Sequence, residues 1–303
     1  PGQPLYFAKT SGTTSGAKYI PITKESIRTH INSARDALLN YFLKTKNYSP
    51  INGKHMFLQG SPKLDKKNGV FIGRLSGISA HYIPKLFLNN RKPSWNTNCI
   101  EDWEKKVDTI IKETVGEKMT IIAGIPSWVQ MYFEKIVSNE NKTIKEVFPD
   151  LSLYVYGGVS FDPYKSTFDK LFGKKIDTLA TFPASEGFFG YQDNFTDNKT
   201  DLLLLLNNDI FYEFIKAEDF LKGKYERITL KDVRVNVNYL LIISTSAGLW
   251  GYNIGDTVKF TSTKPYRLIV SGRIKHFLSA FGEHVISEEV EKSMKVATNN
   301  HNV

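Results

Sequence analysis

The chain has 303 residues, 41% apolar and 13% aromatic, so it can bury a sizeable core and is not intrinsically disordered. Its formal charge of +9 comes from scattered lysines and arginines, which disfavours a nucleic-acid partner. The single cysteine, Cys99, excludes an internal disulfide and a cysteine-based zinc site and favours a reducing, cytoplasmic location. The longest leucine run, Leu202 to Leu206, is too short to span a bilayer, so we expect no membrane partner.

The most informative segment lies within the first twenty residues. Seven consecutive Ser, Thr and Gly residues run from Thr10 to Gly16, and Lys18 follows two positions later. Hydroxyls and free backbone N–H groups in such a loop suit the binding of phosphate oxygens, and glycine permits the close approach. The spacing is not that of a Walker A motif. The alternative is a Ser/Gly-rich linker, which the β-like segment 19–22 disfavours.

The elements that follow predict an α/β chain. Thr23 has the character of an N-cap, and an apolar stripe predicts a helix from about Lys24 to Lys44. After a strand over 55–58, helices alternate with strands from about residue 100, which predicts a parallel sheet with flanking helices. Predicted strands lie at 120–125, 151–156 and 176–182, and predicted helices begin near 103, 126 and 162. Beyond residue 200, strand-like segments follow one another, which predicts a more antiparallel β region.

Two segments lie beyond the carboxyl ends of predicted strands, where open α/β sheets bind ligands. Gly157 and Gly158 follow one strand, and Pro183-Ala184-Ser185-Glu186 follows another. A carboxylate at Glu186 could hold Mg²⁺ beside a nucleotide, but the same residue also fits a surface turn. The segment superficially resembles the nucleophile elbow of a hydrolase, yet Pro183 stands where that motif needs glycine, which disfavours a hydrolase.

Two later segments carry further candidates. The segment 251–256, Gly-Tyr-Asn-Ile-Gly-Asp, is predicted to be a turn, and its Asp256 could bind a ribose diol. Arg273 follows the last strand of the β region and could pair with phosphate. Each residue, taken alone, fits an ordinary turn or domain edge equally well.

In order and spacing, these segments together resemble the ANL adenylate-forming superfamily of CoA ligases, peptide-synthetase adenylation domains and luciferases. Two departures from the usual motifs narrow the resemblance: Ser15 and Gly16 in the loop, and the segment 182–186, Phe-Pro-Ala-Ser-Glu, in place of Tyr-Gly-x-Thr-Glu. Both are similar to the Gretchen Hagen family of acyl acid–amido synthetases, and we expect a bacterial member of it. The resemblance covers residues 6 to 291.

The resemblance implies the α/β fold of an adenylate-forming N-terminal domain, in which a parallel sheet with flanking helices continues into a more antiparallel β region. Residues 1–271 would form the ATP- and acyl-acid-binding adenylation domain, with its N-terminal part missing. Residues 272–303 would form the hinge, with Lys275 at the hinge position, and the start of a largely absent C-terminal lid domain.

The resemblance also implies ATP and Mg²⁺ as cofactors and assigns roles to individual residues. Glu186 would carry the metal ion and act catalytically with Thr13, Lys18 and Arg273, and Phe182 would stack near the base. The nucleotide-binding residues would be Thr10, Ser11, Gly12, Thr13, Thr14, Gly157, Gly158, Val159, Phe182, Ser185, Asp256 and Arg273. Separately, we expect an acyl pocket at Ser76, Tyr82, Trp128 and Tyr132, although aromatic residues at helical spacing are more often core.

The implied reaction joins a small carboxylic acid to an amine. The carboxylate would attack the α-phosphate of ATP, giving an acyl-adenylate and pyrophosphate, and the amine of an amino acid would then take the acyl group. An acyl- or aryl-CoA ligase, in which the CoA thiol is the acceptor, is the enzyme alternative. A degenerate nucleotide-binding module is the non-enzyme alternative, and the intact Glu186, Asp256 and Arg273 argue against it.

Overall fold

The computed structural model describes residues 3–10, 18–83, 88–159, 161–196 and 200–274, and the backbone of two short strands at 278–280 and 283–285. Residues 11–16 of the predicted phosphate loop, which include Ser11, Gly12, Thr13 and Thr14, lie outside the described residues, as does the predicted hinge position, Lys275. None of the described helices is long and apolar enough to cross a bilayer.

The strands, in chain order, are β1 (Tyr6–Lys9), β2 (Tyr19–Ile22), β3 (Lys54–Phe57), β4 (Asp65–Lys67), β5 (Val70–Gly73), β6 (Arg91–Lys92), β7 (Met119–Ala123), β8 (Leu153–Gly157), β9 (Asp177–Ala184), β10 (Gly187–Gln192), β11 (Leu202–Leu204), β12 (Ile210–Lys216), β13 (Asn238–Thr245), β14 (Tyr252–Thr263), β15 (Tyr266–Arg273), β16 (Leu278–Ala280) and β17 (Glu283–Val285). The α-helices are α1 (Lys24–Thr45), α2 (Leu75–Ala80), α3 (Trp95–Asn98), α4 (Trp103–Thr114), α5 (Pro126–Glu140), α6 (Ile144–Val147), α7 (Lys165–Phe172) and α8 (Ala217–Leu221). Short 3₁₀ turns lie at Ser49–Asn52, Asp162–Tyr164 and Leu230–Asp232.

An eleven-stranded sheet, in the order β12-β13-β14-β15-β11-β10-β9-β8-β7-β3-β6, runs through most of the described chain. Strands β6, β3, β7, β8 and β9 are parallel to one another, and every pairing from β9–β10 to β12–β13 is antiparallel. The predicted α/β architecture is confirmed. The antiparallel part begins earlier than expected, because the strand after the 182–186 segment turns back along β9 as β10.

The parallel half of the sheet is covered on both faces. On one face, α4, α5 and α7 pack apolar side chains around Ile122 and Tyr154. On the other face, α1 packs against Ile121 and Leu153. Because successive strand residues point to opposite faces, each neighbouring pair of residues serves both layers.

Helix α1 begins where the sequence predicts. Ser26 N–H donates to Thr23 Oγ1 at 3.2 Å, and Thr23 N–H donates to Ser26 Oγ at 3.0 Å, which closes a capping box. The far end of the helix is held by Tyr41, whose hydroxyl donates to Asp177 Oδ2 at 2.6 Å. The helix therefore lies firmly against β9 and, next to it, β10.

A second, four-stranded sheet in the order β2-β1-β5-β4 carries the predicted phosphate loop. Strands β1 and β2 form an antiparallel hairpin that pairs Lys9 with Tyr19. Thr10 N–H then donates to the carbonyl oxygen of Lys18 at 3.0 Å. The two ends of the loop are thus held side by side by hydrogen-bonded backbone.

Candidate active site

Two strands of the parallel half end at glycine-rich or polar positions on the same edge of the sheet. Gly157 closes β8, and a Cβ there would lie 2.6 Å from the Thr181 carbonyl oxygen on β9, so only glycine fits. Gly158 follows with φ +84, a backbone conformation that glycine adopts without strain. Val159, the next predicted nucleotide-binding residue, is 48% exposed. The predicted glycine pair thus lies at the end of β8, where Gly157 packs closely on β9 and the chain beyond it reaches the surface.

Glu186 lies at the tip of the β9–β10 hairpin. Ala184 pairs with Gly187, which leaves Ser185 and Glu186 as a two-residue turn at the carboxyl end of β9. Burial raises the pKa of the Glu186 carboxyl, and the negative charge of Asp256 raises it further. The positive charges of Lys18 and Arg273 act in the opposite direction. Charged groups from three other segments therefore lie within electrostatic reach of this one carboxylate.

Asp256 and Arg273 face each other on neighbouring strands. They are cross-strand partners of β14 and β15, and Arg273 Nε donates to Asp256 Oδ1 at 2.8 Å. The Asp256 side chain is 14% exposed, whereas that of Arg273 is 56% exposed. Burial raises the pKa of Asp256, and the adjacent guanidinium opposes that rise. The pair presents a cation to solvent and holds a carboxylate beneath it.

The predicted turn at 251–256 is wrong, because β14 starts at Tyr252. Asn253 pairs with Ile242 and Thr257 pairs with Leu240, so three residues of β14 face a single residue of β13. Gly255 lies within this bulge at φ +87. The glycine and asparagine residues that predicted a turn instead form an irregular strand, which re-aims Asp256 toward Arg273.

Lys18 joins the phosphate-loop hairpin to the start of β14. Its ammonium donates to the Tyr252 hydroxyl at 3.2 Å and lies 5.3 Å from the centre of the same ring. The two residues are 234 positions apart in the chain. Tyr252 was part of a recognised motif, but its role as the partner of Lys18 is visible only in the folded chain.

Phe182 occupies a core position. Its side chain is 4% exposed and packs edge-to-face on Phe189, with ring centres 4.9 Å apart. The surface that would stack on a base is taken up by this packing. Its predicted contact with the nucleotide therefore stays a prediction, and one that its burial disfavours.

The four residues expected to line an acyl pocket are not brought together. Tyr132 is fully buried in the main core, with its hydroxyl 2.6 Å from Thr114 Oγ1, so its role as a pocket residue stays a prediction, and one that its burial disfavours. Trp128 packs on Trp103 at 4.5 Å against the same core. Tyr82 belongs instead to the core of the small sheet, where its hydroxyl donates to Tyr6 Oη at 3.1 Å.

Ser76, the fourth of these residues, lies on the short helix α2, which packs on β1 of the small sheet. Helical spacing identified the buried face of α5 correctly. It could not show that α4 covers that face.

Sequence reasoning missed one residue beside the candidate site. His30 lies on α1, and its ring packs edge-to-face on Phe188 with ring centres 5.3 Å apart. Phe188 comes two positions after Glu186 on the same hairpin. Burial lowers the pKa of His30 to about 4, so the imidazole is neutral at pH 7. A lone histidine in a predicted helix gave no indication of this placement.

The described part of the chain contains no group of three or more His, Cys, Asp or Glu side chains able to enclose a metal ion. Mg²⁺ beside a nucleotide needs only one or two carboxylates, because phosphate oxygens and water complete its shell. Glu186 fits that requirement: it is a partly buried turn residue whose carboxylate lies close to a second acid, Asp256. A bound cation there would favour the ionised form that burial disfavours.

Comparison with solved structures identifies the class of fold. The acyl acid amido synthetase AtGH3.15 in complex with 2,4-DB is similar with a TM-score of 0.76 and 14% identity, covering 99% of this chain and 62% of that one. The o-succinylbenzoate coenzyme A synthetase MenE of Bacillus subtilis, in complex with ATP and magnesium ion, is similar with a TM-score of 0.54 and 13% identity, covering 95% and 54%. The chain has the mixed α/β fold of the N-terminal domain of adenylate-forming enzymes.

Matches to family models identify the family within this class of fold. The GH3 family N-terminal domain matches residues 1–95, and the GH3 family central domain matches residues 203–273. Together these matches take in more than half of the chain, which belongs to the GH3 (Gretchen Hagen) family. A curated relative, the jasmonoyl–L-amino acid synthetase JAR4 of Nicotiana attenuata, is 22% identical, covering 85% of this chain and 55% of that protein. The chain thus spans a little over half the length of these relatives, and its expected bacterial source stays a prediction.

Proposed function

We propose that this protein activates a small carboxylic acid with ATP and transfers the acyl group to the amine of an amino acid, forming an amide. The observation that carries the proposal is the meeting of Lys18, Glu186, Asp256 and Arg273 at one edge of the sheet. These four residues come from the phosphate-loop hairpin, the β9–β10 hairpin, β14 and β15. Two cations and two carboxylates at the end of a glycine-rich strand edge suit a nucleotide with its metal ion.

In the first step, a carboxylate oxygen of the substrate bonds to the α-phosphorus of ATP, and the bond from that phosphorus to the bridging oxygen breaks. The electron pair leaves with pyrophosphate, so no protein nucleophile is needed. The task of the chain is to position the reactants and to offset charge. Lys18 and Arg273 supply positive charge, and Asp256 has the chemistry to accept hydrogen bonds from the ribose hydroxyls.

The remaining assignments extend the same proposal. The loop residues Thr10 to Thr14 would donate hydrogen bonds to the phosphates, and Gly157 and Gly158 would line the adenine. Glu186 would hold Mg²⁺, which neutralises phosphate charge when bound. We place the reaction in the cytoplasm, as the single cysteine favours.

The choice of acceptor is supported by family. The GH3 relatives are an acyl acid amido synthetase and a jasmonoyl–L-amino acid synthetase, and forming an amide requires an amine as the acceptor. The second candidate is a CoA ligase, which the likeness to a coenzyme A synthetase supports at the level of fold. Both candidates share the adenylation step and differ in the nucleophile that discharges the acyl-adenylate.

The test is carboxylate-dependent exchange of labelled pyrophosphate into ATP, with a panel of aryl and aliphatic acids. We expect exchange with one class of acid and its loss in Glu186→Gln. The matched control is Glu140→Gln, at the far end of α5, which should retain exchange. Adding amino acids or CoA to the preformed adenylate then identifies the acceptor. Exchange that is equally strong in Glu186→Gln would contradict the assignment of the site.

A further inference from the structure

Tyr252 stands between the two parts of the molecule that make up the candidate site. As the first residue of β14, it pairs with Ile243 of β13. Its ring packs against the main core and also against the core of the small sheet, which is formed by residues such as Ala8, Ile20 and Ile27. The ring is thus held from both sides, and its hydroxyl is directed at the ammonium of Lys18.

Lys18 is exposed, and an exposed lysine side chain normally samples many rotamers. Here the ammonium donates to the Tyr252 hydroxyl at 3.2 Å, which places it at the hydroxyl edge of the ring. The backbone of Lys18 is fixed as well, since its carbonyl oxygen accepts from Thr10 N–H. Both the backbone and the side chain of this residue are therefore held in place.

The position at which Tyr252 holds the ammonium has electrostatic consequences for the site. Lys18 lies close enough to Glu186 for its charge to favour the ionised carboxylate. A carboxylate in place of the tyrosine hydroxyl would form an ion pair with the Lys18 ammonium. A tyrosine hydroxyl instead holds the cation through one neutral acceptor, which phosphate oxygens can outcompete because they form stronger, charge-assisted bonds.

We propose that Tyr252 is a positioning residue that holds the Lys18 ammonium ready for the phosphates of ATP. The proposal rests on the adenylation function proposed above. Tyr252 itself need not touch the nucleotide. It acts by limiting the conformations of Lys18, so that less entropy is lost when the ammonium meets the charge of the departing pyrophosphate.

The first test reads the position of Lys18 without any catalysis. Acetic anhydride is reacted with the protein, and mass spectrometry compares the acetylation rate of Lys18 with that of Lys44, an exposed lysine near the end of α1. Tyr252→Phe keeps the ring and removes the acceptor, so the relative rate of Lys18 should rise about threefold or more. Tyr266→Phe, on β15, is the matched control and should leave the rate unchanged. Equal rates in the wild type and Tyr252→Phe would overturn the proposal.

The second test is a double-mutant cycle on pyrophosphate exchange. Tyr252→Phe should lower kcat/KM for ATP about tenfold, mainly through kcat, because the charge of pyrophosphate develops during the reaction. In a Lys18→Gln background the same change should cost nothing further, since its effect passes through Lys18. An equal loss in both backgrounds would show that Tyr252 acts independently and would refute the positioning role. If the wild type shows no exchange at all, the adenylation function fails, and the acetylation rates still decide whether Tyr252 holds Lys18.

Discussion

The buried histidine beside the candidate site makes stability depend on pH in a defined window. Burial lowers the pKa of His30 from 6.5 to about 4 in the folded chain. In the unfolded chain it titrates near its ordinary value. Between these two pH values the unfolded state binds more protons, so the free energy of unfolding falls as the pH falls. Above about pH 7.5 the imidazole is neutral in nearly all molecules of both states and contributes almost no pH dependence.

The size of this effect follows from the two pKa values. At pH 5 the unfolded histidine is almost fully protonated and the folded one almost fully neutral, which lowers the free energy of unfolding by about 2 kcal/mol relative to pH 7.5. His30→Leu removes the titrating group and keeps an apolar contact with Phe188. The variant should therefore lose about 2 kcal/mol less than the wild type over the same interval.

The measurement is urea denaturation of the wild type and His30→Leu at pH 7.5 and pH 5. Other groups titrate in this interval, but they contribute equally to both proteins. Leu39→Met, at an exposed position of α1 that does not titrate, is the control and should keep the wild-type pH dependence. If the wild type and His30→Leu lose the same unfolding free energy between the two pH values, the reasoning about the burial of His30 is refuted.

Three further outcomes are expected. Asp256→Asn should weaken ATP binding about tenfold or more by calorimetry and leave the melting temperature nearly unchanged, because its ion pair with Arg273 is partly exposed; an unchanged affinity would contradict its place in the site. Tyr132→Phe should lower the free energy of unfolding by about 1 kcal/mol, because one buried hydrogen bond is lost, and should leave KM for every acid unchanged. A change in KM for one acid would show that Tyr132 does line the acyl pocket. Gly157→Ala should destabilise the protein by about 1–3 kcal/mol and weaken ATP binding, because its Cβ would lie 2.6 Å from the Thr181 carbonyl oxygen. If the variant keeps the stability and the ATP affinity of the wild type, β8 and β9 can move apart there without cost.

Local chemistry accounts for what could be predicted. Helix α1 has a cap at Thr23 and a continuous apolar stripe, both of which are properties of neighbouring residues. The parallel half of the sheet follows from alternating helix and strand patterns. Glu186 was correctly placed at the end of β9, because polar residues that end a buried strand lie at an edge of the sheet.

Pairing between distant segments accounts for what was missed. No element was predicted over residues 187–192, yet this segment pairs along β9 as a strand. Gly255 suggested a turn, yet it lies within a strand that β13 and β15 hold on both sides. Periodicity showed that Tyr132 faces inward, but only the packing of α4 on α5 shows that the interior there is closed. Strand order and layer contacts depend on the whole chain and are not encoded in any one window of it.

The contact between Lys18 and Tyr252 joins residues 234 positions apart, and Arg273 lies further on still. During synthesis the phosphate-loop hairpin is made before β14 and β15, so its electrostatic partners exist only after those strands have been added. Such long-range pairing is slow to form, because the entropy of closing a large loop must be overcome first. A nascent chain that stops short of β15 therefore lacks a complete nucleotide site. In the folded chain, a bound nucleotide would link segments that are far apart in sequence and would stabilise them together.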